Sequence, residues 1–304
     1  MHLLQNLNIA QIGTKFTDAP KTLQEAMVAA GLDWTVSTKE LFLADGTKAP
    51  AVATVRDDNK EILGVVGAKY KPLQNQQGFD FFNSFIEAGS ATIEKAGSFR
   101  GGKKVWVQAK INSDFDVIKG DDVISRYILL SNSHDGTMAV RAGFTPVRIA
   151  CENSLVMAHN HVESKLIRIK HGQNVEENVA AVAKIMNLAD NAFETTIEQY
   201  RMLANREINS KDFEKFVKMV FKLDESKDGS GKRLMNSIVP LFEVGRGNDM
   251  KEIKGTYWAA FNAVSEHLQY FKGNDQQVRM DNLWFGSSKT TLENALQIAV
   301  KIAA

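Results

Sequence analysis

The hydrophobic pattern of this chain changes period a little past its middle. Before about residue 172, apolar and β-branched residues come in short runs separated by polar turns. From Asn174 onward they recur at three- and four-residue steps. The first element is a helix: Thr22-Leu-Gln-Glu25 has the capping-box pattern, and Leu23, Ala26, Met27 and Ala30 share a face before Gly31. Runs at 34–43, 51–56 and 62–68, with turns at 44–47 and 57–60, predict a three-stranded meander. Pro72 cannot donate to a ladder and ends it. A helix follows from about Asn75, with Phe79, Phe82, Phe85 and Ile86 on its apolar face. A second hairpin joins 91–99 to 104–111 through Arg100-Gly-Gly-Lys103, and strands at 126–131 and 138–142 flank the Asp135-Gly136 turn. The stretch 141–171 adds strand-like runs at Thr145–Ile149 and Lys165–Ile169 around a polar bend.

Val175, Val179, Val182, Met186, Ala189, Phe193, Ile197 and Tyr200 then predict one helix of about 30 residues, about 45 Å long, capped by Asn174. Ser210 is placed as the cap of a second helix running to about Leu223, and 224–232 as a polar loop. Shorter helices are expected at 232–243, 256–272 and 288–303, with breaks at 245–247 and 274–277. The fold class is therefore α+β: a mixed helix and antiparallel-sheet unit over 1–172, then a mainly helical region over 173–304 with one long helix. The latter is expected to serve packing and oligomerisation, with Tyr257, Trp258, Phe261 and Val264 as a helix face for core or subunit contact.

Composition narrows the function classes. The 304 residues are 44% apolar and 24% charged, and no apolar run approaches the about 18 residues of a spanning helix. MHLLQNLNIAQIG lacks the basic start and cleavage site of a secretory signal, and a single cysteine allows no internal disulfide, so a cytoplasmic setting is expected. The net charge of +1 leaves nucleic-acid binding to a local patch.

Such a patch has three sources. The second hairpin's tip carries Arg100, Lys103 and Lys104 beside Trp106. Lys69, Tyr70 and Lys71 precede Asn75 at a strand-to-helix junction. The 141–171 stretch adds Arg141, Arg148, Arg168, Lys170 and His171. Cations interleaved with aromatics suit single-strand binding, because the cations neutralise phosphates while any base stacks on a ring. In this reading Tyr70 or Trp106 stacks bases, and no catalytic residue, metal or cofactor is expected. A metal-dependent nucleic-acid hydrolase is the alternative, from His134, Asp135, His159, His161 and His171, although neither Cys-x-x-Cys nor His-Glu-x-x-His accompanies them. Cys151 as a nucleophile would need a cationic or helix-terminal setting. No phosphate-binding GxxxxGK[ST] loop occurs, which argues against a P-loop ATPase.

The stretches GLDWTV (31–36), AKYKPLQN (68–75), PVRIACENSL (146–155), IRIKHG (167–172), GTYWAAFNAVSEHL (255–268) and LWFG (283–286) resemble, in order, the phage/plasmid-like proteins carrying the domain of unknown function 932. The resemblance implies a setting in phages, plasmids and integrated elements rather than an activity, and leaves room for an interaction protein that blocks host defence. The order helix, meander, helix, hairpins is also similar to the core of the Red-beta-like single-strand annealing recombinases. That topology implies binding and annealing of single-stranded DNA without a nucleotide, by a homo-oligomer such as a ring.

Overall fold

The computed structural model describes residues 13–138, 141–155, 175–223 and 230–304. The predicted Lys165–Ile169 run and the Asn174 cap lie outside them. Strand β1 (Thr14–Lys15) leads to helix α1 (Leu23–Ala29), where Thr22 Oγ1 accepts the Glu25 N–H at 3.1 Å and Glu25 Oε2 accepts the Lys21 N–H at 2.8 Å. The predicted meander forms as β2 (Val36–Phe42), β3 (Lys48–Arg56) and β4 (Ile62–Gly67), a separate three-stranded sheet. Two short helices follow, α2 (Asn75–Phe79) and α3 (Phe81–Glu87).

The larger sheet is built from β1 and six later strands. These are β5 (Ala91–Phe99), β6 (Lys104–Ile111), β7 (Asp116–Lys119), β8 (Asp122–Ser133), β9 (Arg141–Arg148) and β10 (Asn153–Ser154). Its order is β1-β5-β6-β8-β9-β10, with β7 alongside one end of β8, and every pair is antiparallel. From the sequence runs 138–142 and 145–149, Arg141, Ala142 and Thr145–Arg148 belong to one strand, β9, which follows β8 for eight paired positions from Ser131↔Arg141 to Ile124↔Arg148. Gly143 and Pro146 interrupt the apolar pattern without interrupting the ladder.

Alternation on β6 sorts the two cores. Val105, Val107, Ala109 and Ile111 join Leu23, Met27, Phe79, Phe85 and Ile128 beneath α1–α3. Trp106 points the other way, against Phe99 and Trp284, with ring centroids 5.9 and 5.0 Å away, and Phe285 packs on both of those rings. Gly97 opposite Trp106 makes room for this: a Cβ there would lie 2.8 Å from Gly13 Cα and 3.0 Å from the indole.

The helical half consists of α4 (Val175–Ala204), α5 (Ser210–Phe221), α6 (Ser230–Val244), α7 (Tyr257–Glu266), α8 (Gln276–Phe285) and α9 (Ser287–Ala303). The long helix has the expected 30 residues, and Phe193, Ile197 and Tyr200 are buried on it as the period requires. Three expectations shift. Asn209, rather than Ser210, caps α5 by accepting the Asp212 N–H at 2.9 Å. The run 256–272 is α7 followed by a π-helical turn over His267–Phe271. The break at 274–277 instead starts α8, because Asp275 caps it by accepting the Val278 N–H at 2.9 Å. Phe99, Trp106, Ile118, Ile124 and Leu155 share one apolar core with Ile197, Tyr200, Trp258, Phe261 and Leu292, so this core runs across position 172.

Candidate nucleic-acid interface

Strand register brings three separate basic segments to one end of the large sheet. The β5–β6 tip begins β6 at Lys104, which pairs with Ser133 at the end of β8, and the Lys103 carbonyl accepts the His134 N–H at 2.8 Å. Tyr70 reaches the same place, its hydroxyl donating to the Ser133 carbonyl at 3.4 Å. Lys69 and Lys71 flank that tyrosine, and Arg141 pairs with Ser131 on the next strand. The smaller sheet is wedged against this end: Thr54 Oγ1 donates to the His134 carbonyl at 2.7 Å, and a Cβ on Gly64 would lie 2.6 Å from Asp135 Cα.

The electrostatics are unequal. Lys69, Lys71 and Arg141 are exposed and Lys103 half-buried, and none has an ion pair with a described residue. Arg100 and Lys104 are already engaged. Arg100 Nη2 lies 2.8 Å from Asp281 Oδ2, and Lys104 Nζ 2.5 Å from Asp281 Oδ1. Tyr70 is half-buried, and burial with the nearby Asp135 raises its phenol pKa, so it stays neutral and able to donate. Arg56 braces the tip from the meander: its guanidinium lies 4.3 Å from the Trp34 ring centroid, bonds Asp58, and donates to the Gly101 carbonyl at 3.1 Å.

Three expected contact residues are removed by burial. Trp106 is 1% exposed inside the aromatic cluster, so no base can reach its ring. Asn75 is also 1% exposed; its amide donates to the Leu32 and Trp34 carbonyls and its Oδ1 faces His134 Nε2 at 2.7 Å, so it serves the core rather than an anion. Arg148 is wholly buried and bonded to Asp122, and lies at the far end of β8, where it pairs with Ile124. Ile124 and Ser133 are nine positions apart, about 30 Å of strand at about 3.3 Å per residue. Arg168, Lys170 and His171 lie outside the described residues, as do His159 and His161.

His134 is not poised as a metal ligand. Asn75 spends its amide hydrogens on backbone carbonyls, so its Oδ1 must accept from His134 Nε2–H. Burial, opposed only weakly by Asp135, pushes the imidazole pKa down to about 4. His267, in the π turn, is likewise pushed down to about 4 by burial, with Lys272 adding to it. Among the described residues no group of three or more histidine, cysteine or carboxylate side chains could hold a metal ion. Burial pushes the Cys151 thiol up to about 11 despite Arg148 beside it, which leaves it a thiol rather than a nucleophilic thiolate at neutral pH.

The buried histidines set an acid sensitivity. Each takes up its proton near pH 6.5 when unfolded but only near 4 in the fold, so stability falls as pH drops through that window. Urea denaturation at pH 7 and pH 5 is expected to show a loss of about 1–2 kcal/mol per histidine. His134→Asn should shrink that pH difference; an unchanged difference would mean that His134 protonates freely in the fold.

Asp281 and Arg56, central to the tip's charge balance, are absent from the sequence-based site. Asp281 lies 177 residues from Lys104 in sequence, on a stretch read as outside any helix, so no local spacing could connect them. Arg56 shows only as the end of a strand beside acidic Asp57 and Asp58.

None of the described helices is long and apolar enough to cross a membrane. No curated protein and no solved structure matches the chain. Residues 62–284 do match a family, described as Domain of unknown function (DUF932). That span takes in the meander's last strand, the whole basic end and the helical half through Trp284, so the chain belongs to the DUF932 family.

Proposed function

We propose that this protein binds single-stranded DNA through the end of the large sheet carrying Lys69, Tyr70, Lys71, Lys103 and Arg141, and that copies of it anneal complementary strands without a nucleotide, in recombination or replication of a phage or plasmid. What supports the reading is the convergence there of three chain segments whose Lys69, Lys71, Lys103 and Arg141 have no ion pair with a described residue. Backbone phosphates would meet the four cations, and a base would rest against the exposed part of Tyr70. Four phosphate contacts make a weak site in a single chain. Side-by-side copies lengthen the footprint and multiply affinity by effective concentration, which is why the reading includes a homo-oligomer.

Fluorescence anisotropy with a labelled single-stranded oligonucleotide and the matching duplex, over a salt series, tests this directly. The single strand should bind more tightly, with log affinity falling with log salt at a slope of about −3 per chain for four phosphates. Complementary strands should also pair faster with protein and no ATP. No single-strand binding at low salt would overturn the proposal; binding without faster pairing would remove the annealing step alone.

A further inference from the structure

The β5–β6 tip is held in an unusual way by the C-terminal half. Arg100 has a positive φ of 53°, followed by Gly101 at 70° and Gly102 at 103°. A non-glycine residue in that region is strained and persists only where surroundings impose it. Here they do. A Cβ on Gly101 would lie 2.2 Å from Glu61 Oε1, and one on Gly102 2.9 Å from the Trp34 ring. From the other side the Arg100 N–H donates to Gln277 Oε1 at 3.3 Å, and both Arg100 and Lys104 close on the Asp281 carboxylate. Lys104 Nζ also lies 5.4 Å from the Phe285 ring centroid. The Asp281 side chain is only 3% exposed, yet each of its oxygens meets a different cation of the tip.

A carboxylate gripped by an arginine and a lysine is what a backbone phosphate would look like to the same two side chains. We propose that Asp281 is an internal lock on the nucleic-acid site: it occupies the tip's anion position and keeps Arg100 and Lys104 from phosphate, so that only withdrawal of the carboxylate adds them to the site. This rests on the single-strand-binding reading above. The consequence is a site with two grades of cation, four with no ion pair to a described residue and two withheld by α8, with the tip's commitment coupled to the helical half of the chain.

Anisotropy with a labelled single-stranded oligonucleotide on full-length Asp281→Asn, Arg100→Gln and the double variant tests the lock, with thermal melting to confirm folding. Asp281→Asn should bind at least tenfold more tightly at 0.1 M salt, with a salt slope steeper by about 1.4 for two added phosphates. Arg100→Gln should cancel part of that gain, and about half of the added slope, in the double variant. A folded Asp281→Asn with unchanged affinity and slope would overturn the lock while leaving strand binding intact. If Asp281→Asn does not fold, Arg100→Gln alone decides, since a large loss of affinity would show that Arg100 is already engaged with phosphate. Absence of binding by every variant and by the parent protein would overturn the strand-binding reading and the lock with it.

Discussion

Arg148→Ala is expected to destabilise the protein by about 3–5 kcal/mol, the usual cost of leaving one partner of a buried ion pair alone. Arg148 and Asp122 are both 0% exposed. The guanidinium Nε donates to both Asp122 oxygens at 2.8 and 3.0 Å, and Nη2 lies 2.7 Å from Oδ2. Its remaining donors reach the carbonyls of Arg246 and Gly247 and Asn248 Oδ1, while Trp258 Nε1 donates to Asp122 Oδ2 at 2.7 Å. Burial works against the charge on Arg148, and the bond to Asp122 leads the contacts that together raise its pKa. One substitution therefore strands a carboxylate, two carbonyls and an amide oxygen, and unties β9 from the turn after α6 and from α7. Urea denaturation should show the loss, and Asp122→Leu with Arg148→Met should cost much less than the sum of Asp122→Leu and Arg148→Ala. A loss below about 1 kcal/mol for Arg148→Ala would mean that water reaches the pair.

Charge reversal at Lys69, Lys71, Lys103 and Arg141 together is expected to lower single-strand affinity by a factor on the order of 10²–10³ at 0.1 M salt and to flatten the salt dependence. The four side chains carry no ion pair to a described residue, so urea midpoints should move little. That contrast separates them from Arg148, whose loss acts on folding. Retained affinity in a folded quadruple variant would take this end of the sheet out of the proposed function.

Much of the architecture was legible because it rests on local rules. The Thr22 capping box, the meander with its polar turns, the Gly-Gly hairpin and the 30-residue helix each carry their signal within a few neighbouring positions. The short strands β1 and β7 were not legible, since two and four residues in polar surroundings give no period. Helix α8 was missed because Gly273 and Asn274 advertise a break and only the Asp275 cap restarts the chain.

The sequence by itself determined the α+β class, the family and which segments carry cations and rings. Residue type, spacing and turn chemistry are properties of the chain before it folds. Only the tertiary structure decided which of those groups meet water. Trp106 and Lys103 are three residues apart on one hairpin, yet alternation across the strand and the arrival of Trp284 bury the first and leave the second half-exposed. Arg148 and Arg141 share a strand, but Asp122 and Trp258 enclose one end while the other stays open. Asp281 meets the hairpin only because α8 returns to it. Burial and charge pairing depend on contacts between positions far apart in the chain, and no local pattern encodes them.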